Sequence, residues 1–178
     1  MRDRVKSMAL IHEALCFSNA LAEIDFGKYV DKLAARLIES HSASPDAIRL
    51  HVNVNAILRL DEATPCALIV NELLTNALKY AFPDSRSGEV WLTFLESNDE
   101  MLMEVRDNGI GLPPGFSVET GRPLGLQVVT DLSAQLHGTF SWANDGAVFS
   151  VRFRRSGAEQ SMNEASQATL ASSHLEVL

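Results

Sequence analysis

Cationic residues are scarce in this chain, where 15 Lys and Arg stand against 23 Asp and Glu for a formal net charge of -8. Extended contact with a phosphate backbone needs clustered cations, so nucleic acid is excluded as a partner. Long apolar runs are missing as well, which excludes a membrane span and direct membrane contact. The opening residues Met1-Arg2-Asp3-Arg4-Val5-Lys6 lack the apolar stretch of a signal peptide, so a cytoplasmic location is expected. Cysteine is equally sparse: Cys16 and Cys66 each sit in an apolar helical pattern, without the spacing of a metal or disulfide framework, and read as buried thiols. What is present is a 178-residue chain of 46% hydrophobic content, enough for one core, hence one domain with appendages and no internal repeat.

The patterning gives mixed elements. Val5, Met8, Ile11 and Leu15 form one helical stripe over residues 4–17, which begins without a capping residue. Asp25 caps a second helix through Ser40, with Phe26, Tyr29, Val30, Leu33, Leu37 and Ile38 on its apolar side, and Ser42-Ala43-Ser44-Pro45 follows as a linker. Ile48, Leu50, Val52 and Val54 alternate as in a half-buried strand, with another short one at 57–60. Thr64-Pro65 reads as a helix start, Thr as N-cap and Pro at the first helical position, for a helix running to about Tyr80 and stopped by Pro83. Strands are expected at 89–95 and 101–106, a Gly/Pro-rich loop at 109–121, a helix at about 124–136 capped by Gly138, and a hairpin of 139–143 with 147–153 across Asn144-Asp145-Gly146. From Arg155 to Leu178 the composition is that of a loose tail.

Three motifs carry chemistry. Asp107-Asn108-Gly109-Ile110-Gly111 follows a strand, so a fixed carboxylate stands beside glycines that let a flat ligand approach the backbone. That suits adenine, whose N6 amine donates to the Asp, whereas guanine would set its O6 acceptor against it. An Asp-Asn-Gly hairpin turn would use the same residues. In the 65–80 helix, Glu72 and Asn76 lie four apart on one face of an otherwise apolar cylinder, Tyr80 continues the row and Lys79 sits beside it. A hydrated Mg2+ carrying nucleotide phosphates fits that row: Asn76 supplies an oxygen to the metal, Glu72 orients a metal-bound water or acts as base, and Lys79 offsets phosphate charge. A solvated stripe is the plain alternative. Third, Gly121-Arg122-Pro123-Leu124-Gly125-Leu126-Gln127 opens a helix with free amides for a phosphate, or is simply a glycine-rich loop-to-helix junction.

In that order the motifs resemble the GHKL ATPases, the superfamily of gyrase, heat-shock ATPases, MutL-type proteins and sensor histidine kinases. Glu72 and Asn76 within 71–80 look like the N box, Asp107 to Gly111 like the G1 box, and Pro123 to Leu126 like the G2 box, the match spanning roughly 48–153. With a very short lid, 66–82 and 124–129 are similar to the histidine kinase subgroup related to the HWE kinases, and 4–26 to the second helix of its dimerisation domain. The resemblance implies an α/β (α+β) two-layer Bergerat sandwich, a mixed sheet covered by helices on one face after an N-terminal helix. It also implies a partial dimerisation domain at 1–24, a catalytic domain at 25–154 and a tail at 155–178. The cofactors implied are ATP and Mg2+, with the nucleotide held by Asn76, Lys79, Tyr80, Asp107, Gly109, Gly111, Leu124, Gly125 and Leu126. Phosphoryl transfer to a histidine and on to a response-regulator receiver domain would follow, with the chain's own dimerisation domain or a homodimer partner as its other contact.

Two departures stand out. The phosphoacceptor histidine of such kinases belongs to the first dimerisation helix, which would precede Met1; His12 aligns with the second helix and reads as a packing histidine. Where the family often has a Gly-Thr pair supporting the adenine site, this chain has Gly146-Ala147. An anti-sigma-factor serine kinase and a non-catalytic phosphotransferase-like docking module are the competing readings; residues 4–26 oppose the first, and the intact Glu72, Asn76, Asp107 and Gly125 the second.

Overall fold

Apolar residues at every second position decide which side of the sheet is covered. The computed structural model describes residues 23–41, 47–117 and 124–155. The strands are β1 (Ile24–Asp25), β2 (Ile48–Val54), β3 (Ile57–Leu58), β4 (Gly88–Ser97), β5 (Glu100–Asp107), β6 (Thr139–Ala143) and β7 (Ala147–Arg154). Five of them pair in the order β2-β4-β5-β7-β6, parallel between β2 and β4 and antiparallel elsewhere, while β1 and β3 form a separate two-residue ladder. Val90, Leu92 and Phe94, Met101, Met103 and Val105, and Phe149, Val151 and Phe153 are all buried. The residues between them, such as Trp91, Thr93, Glu104, Arg106 and Arg152, face the other way. Three helices, α1 (Phe26–His41), α2 (Leu60–Asn76) and α3 (Leu124–Gln135), complete one core with the apolar side of the sheet, giving the expected two-layer α/β sandwich.

Asp25 caps α1 as expected, its Oδ1 accepting the Lys28 amide at 3.0 Å. The start of α2 differs from expectation. It begins at Leu60, not at Thr64-Pro65, because the Glu62 carboxylate reaches back to the Arg59 amide at 3.3 Å and closes the first turn. Pro65 lies inside the helix, near enough to its N-terminus that its missing N–H costs one early hydrogen bond. Beyond Asn76 the helix widens into a single π turn, Ala77–Ala81. At the end of α3 the expected cap shifts by one residue. His137 takes the left-handed conformation, φ 53°, and the His137 and Gly138 amides donate to the Ala134 and Ser133 carbonyls. Gly138 is required for another reason: a Cβ there would lie 2.5 Å from the Arg152 carbonyl oxygen.

Arg155, where a loose tail was expected to begin, is tied down by an ion pair with Glu96 at 2.8 Å and a hydrogen bond to the Ile57 carbonyl. The expected helix over 4–17 with Cys16 and His12, the linker at 42–45, residues 121–123 with Arg122, and the rest of the tail lie outside the described residues. Cys66 is fully buried and burial pushes its thiol well above the usual range, so it packs as an apolar residue. Among the described residues, no helix is long and apolar enough to cross a membrane.

Candidate functional site

The alternation that buries Met101, Met103 and Val105 also puts Asp107 on the helix-covered side, as the last residue of β5 and only 3% exposed. Its Oδ1 accepts the Gly109 amide at 3.0 Å, and the Ala147 amide of the neighbouring strand donates to the carboxylate too. Desolvation raises its pKa, the two amides pull it down, and the net shift is upward. Asn108 turns to the opposite side, where its Oδ1 accepts the Glu89 amide at 2.8 Å and ties the end of β5 to the start of β4. The Asp-Asn-Gly stretch is therefore no hairpin turn, and β5 pairs onward with β7.

After Asp107 the chain presses against the π turn. Ile110 N–H donates to the Ala81 carbonyl at 2.9 Å, and a Cβ on Gly109 would stand 2.3 Å from that same oxygen. Only glycine allows this approach. On α2, Glu72 is buried and Asn76 half-buried, one turn apart. Gly125, in the first turn of α3, faces both: a Cβ there would lie 2.8 Å from Glu72 Oε2 and 3.7 Å from Asn76 Nδ2.

Between these pieces lies a cleft of about 910 Å3, bordered by Asn76 and Tyr80 on one side, Asp107 and Gly111 on another, and Leu126, Phe149 and the loop from Leu112 to Phe116. Asp107 and Asn76 thus share one cavity. Glu72 stands one turn behind Asn76, and Gly109 is wedged between Asp107 and Ala81. Tyr80 lines the cleft and is 68% exposed, whereas Leu124, 67% exposed, and Lys79, also exposed, are not among the described residues that line it. Among the described residues, no group of three or more His, Cys, Asp or Glu could enclose a metal. One amide oxygen with a carboxylate behind it is instead a sparse donor set of the kind that suits a Mg2+ already carrying phosphates and water.

Sequence reasoning passed over Ala81, whose carbonyl anchors the glycine loop, and Asn144, whose Oδ1 accepts the Leu112 amide at 3.0 Å. Neither carries a local signal: one is an alanine at a helix end, the other a turn-forming residue in a hairpin. Phe116 and Phe149 also stand in the cleft wall, and no local pattern sets either apart from an ordinary apolar residue.

Residues 61–157 match the family described as histidine kinase-, DNA gyrase B-, and HSP90-like ATPase, and residues 1–41 match one described as histidine kinase. The sensor histidine kinase PdtaS of Mycobacterium tuberculosis is 36% identical over 140 residues, 76% of this chain and 27% of that protein. Blue-light-activated histidine kinase 2 of Erythrobacter litoralis is 28% identical over 135 residues, 72% of this chain and 38% of that protein. The chain spans well under half the length of either relative. Among solved structures, the histidine kinase domain of the Erythrobacter litoralis EL346 blue-light-activated kinase superposes with a TM-score of 0.77 at 24% identity, covering 85% of this chain and 78% of that one. The ATP-binding domain of PrrB from Mycobacterium tuberculosis gives 0.59 at 21%, covering 77% and 98%. Both share the fold. With the family match extending over more than half of its length, this chain belongs to the histidine kinase-, DNA gyrase B-, and HSP90-like ATPases.

Proposed function

We propose that this chain is the ATP-binding catalytic region of a cytoplasmic sensor histidine kinase, with residues 1–24 as the second helix of its dimerisation domain, 25–154 as the catalytic domain and 155–178 as a tail. Asp107 accepts the N6 amine of adenine, and Asn76 gives an oxygen to Mg2+. Glu72 orients a metal-bound water or serves as base, and Lys79 meets phosphate charge. Tyr80, Gly109, Gly111, Leu124, Gly125 and Leu126 border the nucleotide. An imidazole nitrogen attacks the γ-phosphorus, the bond from that phosphorus to the β–γ bridging oxygen breaks with ADP leaving, and the imidazole proton passes to base or solvent. The phosphoryl group then moves to an aspartate of a response-regulator receiver domain. The acceptor histidine belongs to the first dimerisation helix, brought by the chain's own dimerisation domain or a homodimer partner.

The observation that carries the reading is that Asp107 and Asn76 border the same cleft, with Gly125 against Glu72 and Asn76 behind it. Because this chemistry is mostly positioning and charge neutralisation, such an arrangement supplies what it needs from the protein. The match of residues 1–41 to histidine kinases favours this over the serine-kinase reading.

Calorimetry with Mg-ATP tests the site. Asp107→Asn should weaken binding about 100-fold, by losing a charged acceptor for N6, and unchanged affinity would refute the adenine role. Labelled ATP with a supplied first-helix peptide tests the activity. Label on histidine supports the proposal, whereas label on a partner serine, or none at all, overturns it.

A further inference from the structure

The turn between β6 and β7 reaches into the cleft wall. Asn144 Oδ1 accepts the Leu112 amide at 3.0 Å, immediately after Gly111, which bends the loop with a φ of 74°. A Cβ on Gly111 would come within 2.9 Å of that same oxygen. At the far end of the wall, Phe116 sets its ring edge-on against Trp142 at 6.0 Å and Phe149 at 6.5 Å, and Phe140 stacks on Phe149 behind them. Both ends of the segment from Leu112 to Phe116 are thus fastened to one hairpin, one by a hydrogen bond and the other by ring contact. Within it, Phe116 N–H donates back to the Pro113 carbonyl at 3.0 Å.

The turn itself does not need asparagine. Its left-handed position falls to Gly146, φ 70°, and Asn144 has an ordinary negative φ and is exposed. Its side-chain oxygen is instead taken up by the Leu112 amide.

We propose that Asn144 is a positioning residue for the nucleotide: its amide oxygen holds the wall from Leu112 to Phe116 in the binding conformation before ligand arrives, so that binding does not have to order it. This rests on the reading of the cleft as an ATP site. An exposed residue of this kind affects affinity far more than global stability.

The test uses the full chain with Asn144→Ala and Asn144→Asp in a Trp91→Phe background, which leaves Trp142 as the one tryptophan. Calorimetry with Mg2+ and a non-hydrolysable ATP analogue should show Asn144→Ala binding about three- to tenfold more weakly, the effect of one hydrogen bond. Asn144→Asp, whose carboxylate still accepts the Leu112 amide, should stay within about twofold. Without nucleotide, Trp142 emission should shift to the red in Asn144→Ala and not in Asn144→Asp, with the urea midpoint unchanged in both. Parental affinity and emission in Asn144→Ala, or equal weakening in a well-folded Asn144→Asp, would overturn the inference. If the parent binds no nucleotide, the ATP reading fails, while the nucleotide-free emission still decides whether Asn144 holds the wall.

Discussion

Glu89 and Asp107 lie one register position apart on paired strands but on opposite sides of the sheet, and their surroundings differ in kind. Glu89, on the open side, has Arg49 and His51 each 3.6 Å away and keeps about a third of its side chain in water. Asp107, on the helix-covered side, is buried, is held by two backbone amides, and joins no ion pair among the described residues. A solvated carboxylate beside an exposed arginine gains and costs little. A buried one held by neutral donors costs desolvation, and it keeps acceptor capacity for an uncharged group that arrives later. The open side carries exchangeable surface charge; the covered side keeps Asp107, an expensive group, where a ligand can meet it.

Substitutions can break or sharpen that contrast. The largest effect is expected from the covered side itself: Leu92→Ala, at a fully buried position, should cost about 2–5 kcal/mol in urea unfolding. Thr93→Ala, its neighbour facing outward, should stay within about 0.5 kcal/mol. Equal losses would mean that the two sides are not distinct. Gly109→Ala follows, since backbone meets backbone at the Ala81 carbonyl: a loss of about 1–3 kcal/mol and of ATP binding is expected by the same unfolding assay and calorimetry.

Asp107→Asn should separate stability from affinity, raising the nucleotide-free melting temperature while ATP binding weakens about 100-fold. The pH dependence has the same origin. Burial lifts Asp107 above the usual carboxylate range, so its ionised form opposes folding at neutral pH. The nucleotide-free chain should therefore gain stability as pH falls through that raised value, and lose it as pH rises through it. Affinity for ATP should fall over the same acid window, because the protonated acid gives up an acceptor. Denaturation and calorimetry from the ordinary carboxylate value upward to neutral pH would reveal both, and Asp107→Asn should flatten both. Glu89→Gln should have the smallest effect, within about 0.5 kcal/mol and vanishing in high salt.

Strands β2, β5, β6 and β7 were legible to within a residue or two because their period is short and their ends carry Gly, Asn or Asp. The glycine loop and the Glu72–Asn76 row were legible because glycines and a polar pair in an apolar helix are locally unusual. The start of α2 was misread because Pro65 resembles a first-turn proline, while the deciding signal was Glu62 three residues after Arg59. The π turn had no local signature; it is stabilised by a contact with Ile110, far away in sequence. For the same reason Asn144 read as a turn former, when its partner Leu112 lies on another segment. Left-handed His137 in place of Gly138 reflects competition, since the glycine was needed for close approach to β7.

Because β7 sits between β5 and β6, the amide that Ala147 gives to Asp107 comes from a strand that leaves the ribosome well after β5. A nascent chain that has extruded every residue up to Asp107 still lacks the amides that hold that carboxylate. The cleft wall is thus incomplete until translation has passed the β6–β7 hairpin, and a polypeptide halted before it would expose the unpaired backbone edge of β5 instead.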